Sequence, residues 1–330
     1  MVELRLEALR RLRALLRSRT LFRNWLSLGF KYYLMKRGLI DRGNLVARCR
    51  GGELAVKPEV YAAIVNAYHD GLIRGVDCKG YVLDRSGASI PLSWLWLLYC
   101  VGCGTSLGFG FIGDHLGVNW GGHTVKFPPG AAPFIEDILC ENMLGDAYGD
   151  LDVRNRVVVD VGAGVGDTAV MFALMGAGKV IALEPHPSLF KVARETVEIN
   201  GVADRVLLLN AGIGASDCVV EVGDCPVGYR LFSPCECKGD VKVRVYTLGS
   251  LVGEFGIDDV VLKMDCEGCE YDAVTDPEVL KVFRQVVIEY HRGYGKLVEI
   301  LERAGFKTTI KPVKSVKVPV EKQGYIVGVT

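Results

Sequence analysis

The stretch that decides the fold reads Val157-Val158-Val159-Asp160-Val161-Gly162-Ala163-Gly164-Val165-Gly166-Asp167-Thr168. An apolar run broken only by Asp160 is what a strand buried on both faces requires. Three alternating glycines follow at once, and Asp167–Met175 then reads as a helix. The spacing G-x-G-x-G differs from the G-x-G-x-x-G of dinucleotide enzymes. Glycines at such a turn let a ligand approach the backbone and aim amides at it. Glu184 follows twenty residues after Gly164, at the end of the next apolar run. A carboxylate placed there can accept both hydroxyls of a ribose. Nothing basic lines the glycine loop, which disfavours a pyrophosphate and favours a nucleoside with a zwitterionic tail. S-adenosylmethionine fits that description.

Working outward, strands are expected at Lys179–Leu183, Val206–Leu209, Val260–Met264, Gln285–Glu289, Phe306–Ile310 and Tyr325–Val329. Ser188 is the expected N-cap of a helix to Asn200 that Gly201 stops, and Gly305 stops a helix over Lys296–Ala304. Residues 212–246 read as an insertion, with two short alternating runs around a Cys/Pro/Gly loop. Alternating strands and helices imply an α/β, doubly wound, mostly parallel Rossmann-like sheet. Ligands in such sheets bind at the carboxyl ends of the central strands.

Ahead of this body the pattern changes. Residues 1–43 read as a basic amphipathic helical arm: Leu4, Leu6, Leu9, Leu12, Leu15 and Leu16 alternate with arginines, and a second helical run spans Leu21–Lys36. Residues 44–130 read as a β-rich region, completing an α+β N-terminal extension. No charged residue lies between Arg85 and Asp114, yet only about ten residues there are densely apolar, half of what a membrane span needs. Leu92–Val101 is therefore expected as buried strand or loop–strand, and Phe134–Met143 as a short helix. The 330 residues carry 39 basic and 39 acidic side chains, which excludes a globally basic nucleic-acid binder. The balance hides an asymmetry, because residues 1–50 hold 13 Lys/Arg against 3 Asp/Glu. That arm is a candidate surface for anionic lipid or RNA.

Eleven cysteines are scattered through the chain, and the charged N-terminus shows no apolar signal segment. The expectation is a cytoplasmic protein, peripheral to a membrane if the arm binds one, with mostly buried thiols. Cys100-x-x-Cys103 and Cys266-x-x-Cys269 have redox- or zinc-like spacing, with a structural disulfide the best of such readings.

After the fourth expected strand comes Leu262-Lys263-Met264-Asp265-Cys266-Glu267-Gly268-Cys269-Glu270. The fifth ends Val287-Ile288-Glu289-Tyr290-His291. With the glycine loop, these segments resemble class I S-adenosylmethionine-dependent methyltransferases, and in particular the KxDxEGxE signature and E-x-H element of the FkbM family. The resemblance covers residues 131–330, read as the methyltransferase domain. It implies a seven-stranded sheet whose last strand is antiparallel. It also implies S-adenosyl-L-methionine as cofactor and methyl transfer to a hydroxyl of a sugar, glycan or related small-molecule acceptor. The cofactor-binding residues expected are Asp160, Gly162, Gly164, Gly166, Glu184, Asn210 and Ala211. A weakly nucleophilic hydroxyl needs a base, and an imidazole titrates in the useful range. The catalytic residues expected are therefore His291 as the leading base, Asp265 on the cofactor's amino end or the acceptor hydroxyl, and Glu267 holding the acceptor or stiffening the loop, with Glu270 and Glu289 on the acceptor. Lys263, on a buried strand, is expected to pair with a carboxylate. No metal ligand is assigned: no further histidine at ligand spacing supports a divalent ion on these acids. Two other functions compete. One is RNA methylation through the basic arm, ranked lower because acids repel phosphate. The other is a non-catalytic, membrane-peripheral cofactor-binding protein.

Overall fold

The computed structural model describes residues 12–41, 43–49, 51–85, 87–99, 107–144, 148–222, 240–313 and 319–330. Expectations for residues 1–11, for Cys100 and Cys103, and for the Cys/Pro/Gly loop of residues 223–239 lie outside these. The chain forms two compact units, residues 1–102 with 111–114, and residues 103–110 with 115–330. The boundary expected at residue 130 falls inside the second unit. There the hairpin of His115–Trp120 and His123–Phe127 is stitched to the rest by Asn200. The Asn200 amide donates to the Lys126 carbonyl at 2.7 Å, and its oxygen accepts from the Lys126 N–H at 2.8 Å.

The second unit is built on seven strands: β1 (Val157–Val161), β2 (Lys179–Leu183), β3 (Val206–Leu209), β4 (Val260–Met264), β5 (Phe283–Tyr290), β6 (Lys307–Pro312) and β7 (Gly324–Val329). Their order is β3-β2-β1-β4-β5-β7-β6, with β7 antiparallel to both neighbours and β3 through β5 parallel. This is the α/β Rossmann-like sheet expected, and its order reverses at β1. A crevice therefore opens at the carboxyl ends of β1 and β4, where the two chain directions diverge. The central strands are largely apolar because both faces are covered, and the charged residues buried on β1 and β4, Asp160 and Lys263, pair with each other. Val158, Val159, Val180, Ile181, Val261, Leu262, Val286 and Ile288 are all buried.

The helices beside the sheet are α1 (Asp167–Leu174), α2 (Pro187–Ile199), α3 (Leu248–Phe255), α4 (Glu270–Ala273), α5 (Pro277–Leu280) and α6 (Gly295–Arg303). Helix α2 begins at Pro187, with His186 and not Ser188 as N-cap. The ring of Pro187 presets the helical φ and its missing N–H needs no partner at that position, so it starts the helix ahead of the serine. The insertion adds a small second sheet. Ala211–Ile213 pairs in parallel with Val241–Tyr246, which pairs antiparallel with Cys218–Val222.

The first unit is less purely β than expected. It has strands at Leu45–Cys49, Gly52–Val56, Ile73–Val76, Tyr81–Asp84 and Ser89–Pro91, but also a helix over Pro58–His69 that buries Tyr61, Ile64, Val65 and Ala67. Leu92–Tyr99 forms helical turns rather than a strand, with a break at Trp94. A short apolar run carries no period that separates the two. Trp94 is fully buried and its indole N–H donates to the Asp114 carbonyl at 2.7 Å. The expected helix Leu21–Lys36 begins at Trp25. Among the described residues no helix is long and apolar enough to cross a membrane.

Buried thiols were expected, and the structure instead joins Cys49 to Cys78 and Cys266 to Cys269 as disulfides. In the second pair the tight turn through Glu267 and Gly268 brings the two Cα atoms to 5.4 Å, within disulfide range.

Candidate active site

The site grows from the carboxyl ends of β1, β2, β4 and β5. At the end of β1, Gly162 has φ +76°, and a Cβ there would sit 1.7 Å from the Asp265 carbonyl. Only glycine lets the two loops touch. Gly164 differs: its φ is +53°, yet a Cβ would meet nothing within 4 Å, so the loop bares its backbone to open space. Gly166 is the N-cap of α1.

Below this loop lies a buried ion pair. Lys263 on β4 reaches Asp160 on β1 at 3.0 Å, as expected of a lysine on a buried strand, and also donates to the Gly162 carbonyl at 2.7 Å. Burial alone lowers the pKa of Lys263, but Asp160 and Asp265 outweigh it and hold the ammonium charged. Thr168 donates to the other Asp160 oxygen at 2.7 Å. Asp160, expected on the cofactor, is thus fully buried beneath the loop, where it braces the loop.

Glu184, at the end of β2, is buried and accepts from two backbone amides. Gly164 N–H meets one oxygen at 2.9 Å and His186 N–H the other at 2.8 Å. Burial pushes its carboxyl up to about 7, against the pull of those two amides. Asn210 follows β3 and donates to the Glu184 and Pro185 carbonyls at 2.9 and 3.1 Å, so it shapes the loop beside Glu184. Ala211 is buried at the start of the insertion's sheet.

The second half of the site converges on one imidazole. His291 Nδ1 lies 3.1 Å from Glu270 Oε1. Its Nε2 lies 3.4 Å from Glu267 and 3.6 Å from Glu289. Burial lowers the His291 pKa, but the Glu270 hydrogen bond and the charges of Glu267 and Asp265 raise it above its ordinary value overall. Burial and the nearby Asp265 push Glu267 up to about 7. Asp265, Glu267 and His291 each offer a ligating atom, and the three atoms lie within 4.8 Å of one another. Glu270, expected on the acceptor, has no exposed surface. Its carboxylate accepts from Gly268 N–H at 2.8 Å and His291 N–H at 3.2 Å, which places it behind the imidazole. Glu289 is also buried and accepts from the Gln323 amide at 2.9 Å. Burial, then Asp265 and Glu141, hold its carboxyl well above the usual range.

Several residues at this site were not found from sequence. Tyr325 on β7 stands opposite Glu289 in the antiparallel register and donates to Glu141. Tyr148 packs edge-on against Tyr325 and Phe172. Asn142 donates to Asp167 at 2.6 Å, while burial pushes that carboxyl up to about 6. Arg292 lies over the Tyr271 ring and donates to the Gly268 carbonyl at 3.1 Å, bracing the β4 loop from β5. Tyr325 comes to this site only through the register of β7 against β5, which sequence spacing does not give.

Residues 160–308 match the family profile described as the methyltransferase FkbM domain, and the matched span runs from Asp160 through Glu184, Asp265 and His291. This stretch of the chain is similar to that family. The chain also shows short likenesses to curated proteins. One is 46% identity over 54 residues to the ribosomal protein L11 methyltransferase of Carboxydothermus hydrogenoformans, covering 16% of this chain and 18% of that protein. Another is 27% identity over 145 residues to the uncharacterized protein 158B of Sulfolobus islandicus rod-shaped virus 1, covering 44% of this chain and 66% of that one. The chain thus spans less than a fifth of the length of the first relative. Among solved structures, it is similar to the ribosomal protein L11 methylase of Lactobacillus delbrueckii subsp. bulgaricus, with 15% identity, 62% and 84% coverage and a TM-score of 0.36.

Proposed function

We propose that this FkbM-like domain transfers the methyl group of S-adenosylmethionine to a hydroxyl of a sugar, glycan or related metabolite. The observation that carries this reading is the His291 imidazole, held from behind by the buried Glu270 and set among acids at the ends of β4 and β5. The residues of the opposite half fit the cofactor. Gly164 leaves open space above the loop, and the buried Glu184 carboxylate ends the neighbouring strand. When bound, S-adenosylmethionine supplies an electrophilic methyl group on a sulfonium.

The chain's own residues do the rest. The hydrogen bond to Glu270 keeps the proton of neutral His291 on Nδ1, which leaves the Nε2 lone pair to take the acceptor's hydroxyl proton. Asp265 and Glu267 flank that nitrogen and stabilise the imidazolium that forms. Asp265 and Glu267 also accept hydrogen bonds from an acceptor's neighbouring hydroxyls. Fixing both partners in one crevice removes the entropic cost of a bimolecular encounter. The same acids oppose the competing reading, RNA methylation, because they repel phosphate.

The test supplies S-adenosylmethionine with a deuterated methyl group together with glycan, small-metabolite and RNA pools, followed by mass spectrometry. A labelled methyl on a glycan or metabolite oxygen supports the proposal. Label on RNA alone, or on no acceptor, contradicts it.

A further inference from the structure

The helix Trp25–Lys36 has two apolar sides, and the first unit uses one. Leu28, Gly29 and Met35 are buried, and Tyr32 packs against the Tyr61 ring at 5.5 Å. On the opposite side Leu26, Phe30 and Tyr33 recur at i, i+4 and i+7, so they form one stripe. They are 64%, 63% and 50% exposed. Just past the helix, Leu39 is 66% exposed and Ile40 is exposed as well. Large apolar side chains grouped in this way on a surface mark an interaction site. Cations accompany them. Between residues 12 and 40 there are seven Lys or Arg and no acid. The Arg37 guanidinium lies over the Tyr33 ring at 5.4 Å.

A second, independent feature lies in the same unit. A shallow cavity of about 660 Å³, open to solvent, is lined by Arg17, Arg19 and Arg74 together with Leu16, Tyr68 and Ile73. No carboxylate is among its lining residues. Arg17 is fixed by donating to the His69 carbonyl at 3.0 Å, and Tyr68 by a 2.9 Å hydrogen bond from Thr20. Three guanidinium groups around an uncharged floor suit an anionic oxygen cluster, since planar guanidinium forks match phosphate geometry.

We propose that residues 12–40 dock on an anionic lipid bilayer, with the Leu26–Phe30–Tyr33 stripe entering the acyl boundary and the arginine cavity receiving a lipid phosphate. Charge selects this occupant over a second copy of the chain, because two copies would bring like-charged segments, each with Lys and Arg and no acid over residues 12–40, against each other. Three of these five exposed apolar side chains, Leu26, Leu39 and Ile40, offer no ring for base stacking, which favours a bilayer over RNA. Exposed apolar side chains with cations close by in sequence are what an interfacial segment presents to anionic lipid. Each cation near the surface contributes about 1 kcal/mol, so three together are worth on the order of a hundred-fold in affinity.

The test is co-sedimentation of the full chain with vesicles of pure phosphatidylcholine and of phosphatidylcholine mixed with phosphatidylglycerol. The proposal expects binding to the anionic vesicles that weakens steeply with salt. Leu26→Glu with Phe30→Glu should abolish it. Arg17→Gln, Arg19→Gln and Arg74→Gln together should weaken it on the order of a hundred-fold. Both variants change exposed positions, so thermal melting and S-adenosylmethionine affinity should match the parent. No vesicle binding, or equal binding to the neutral vesicles, would overturn the proposal. So would RNA binding that the Leu26→Glu/Phe30→Glu variant loses, or a dimer in sedimentation that it dissociates. Inorganic phosphate filling the arginine cavity, with vesicle binding unaffected by the three arginine substitutions, would reassign that cavity to a free anion.

Discussion

The two halves of the crevice are built on different principles. At the ends of β1 and β2 the backbone makes the surface: Gly164 leaves open space over the loop, and the N–H groups of Gly164 and His186 hold Glu184. At the ends of β4 and β5 side chains make it, with His291 ringed by Glu267, Glu270 and Glu289. A surface of backbone tolerates no added atom where loops touch. A surface of side chains tolerates substitution but responds in its protonation. The first half is suited to hold a constant ligand, and the second to move a proton.

The harshest break is Gly162→Ala. The new Cβ would fall 1.7 Å from the Asp265 carbonyl at a left-handed φ, and both the contact and the conformation oppose it. A loss of several kcal/mol in chemical denaturation is expected, with no soluble folded protein as the extreme. Next, His291→Asn should lower turnover by about 10²–10⁴-fold while S-adenosylmethionine affinity stays within about two-fold, because general-base catalysis is worth that much. Quenched-flow turnover beside calorimetric binding separates the two effects.

Glu270→Gln sharpens the same half through pH. The base must be neutral, so turnover should rise with pH through the elevated His291 pKa. Glu270 contributes to that elevation, and removing its charge should move the rising limb to lower pH. A limb that stays in place would show that Glu270 serves packing alone. The linked stability has a definite sign. His291 has a folded pKa above its unfolded value, so its contribution is full below the unfolded pKa and fades as pH climbs through the folded one.

In the backbone half, Glu184→Ala should cost about 10–100-fold in S-adenosylmethionine affinity with little change in saturated turnover, the range of one charged hydrogen-bonding group. The smallest effect is expected from Cys266→Ser with Cys269→Ser. Closing so short a loop is worth about 2 kcal/mol at most, so melting should fall by a few degrees while cofactor affinity holds.

The same contrast explains what could be read from sequence. The glycine loop was legible because a left-handed turn after a buried strand is a local requirement, written in consecutive residues. The central strands of the sheet were legible because burial on both faces forces apolar runs, interrupted on β1 and β4 only by the paired Asp160 and Lys263. The burial of Glu270 behind His291 was not, since it depends on how the β4 loop turns against β5. The Tyr325–Glu141 contact joins residues far apart in the chain and meets only through strand register. In the first unit, Pro58–His69 carried a helix-start proline within a stretch read as β, and its apolar face became visible only once Tyr61 and Ile64 were seen buried. The Cys266–Cys269 disulfide needed the turn geometry that Glu267 and Gly268 supply together.

The account rests on the space above Gly164 being where the cofactor sits. Gly164→Asn tests it directly, because asparagine tolerates the left-handed backbone and its side chain meets no protein atom at the Cβ position. Calorimetric titration of S-adenosylhomocysteine into parent and variant should show binding to the parent and a loss of at least ten-fold in a variant that melts at the same temperature. Equal affinity in both would contradict the placement of the cofactor, and with it the division of labour between the two halves of the crevice.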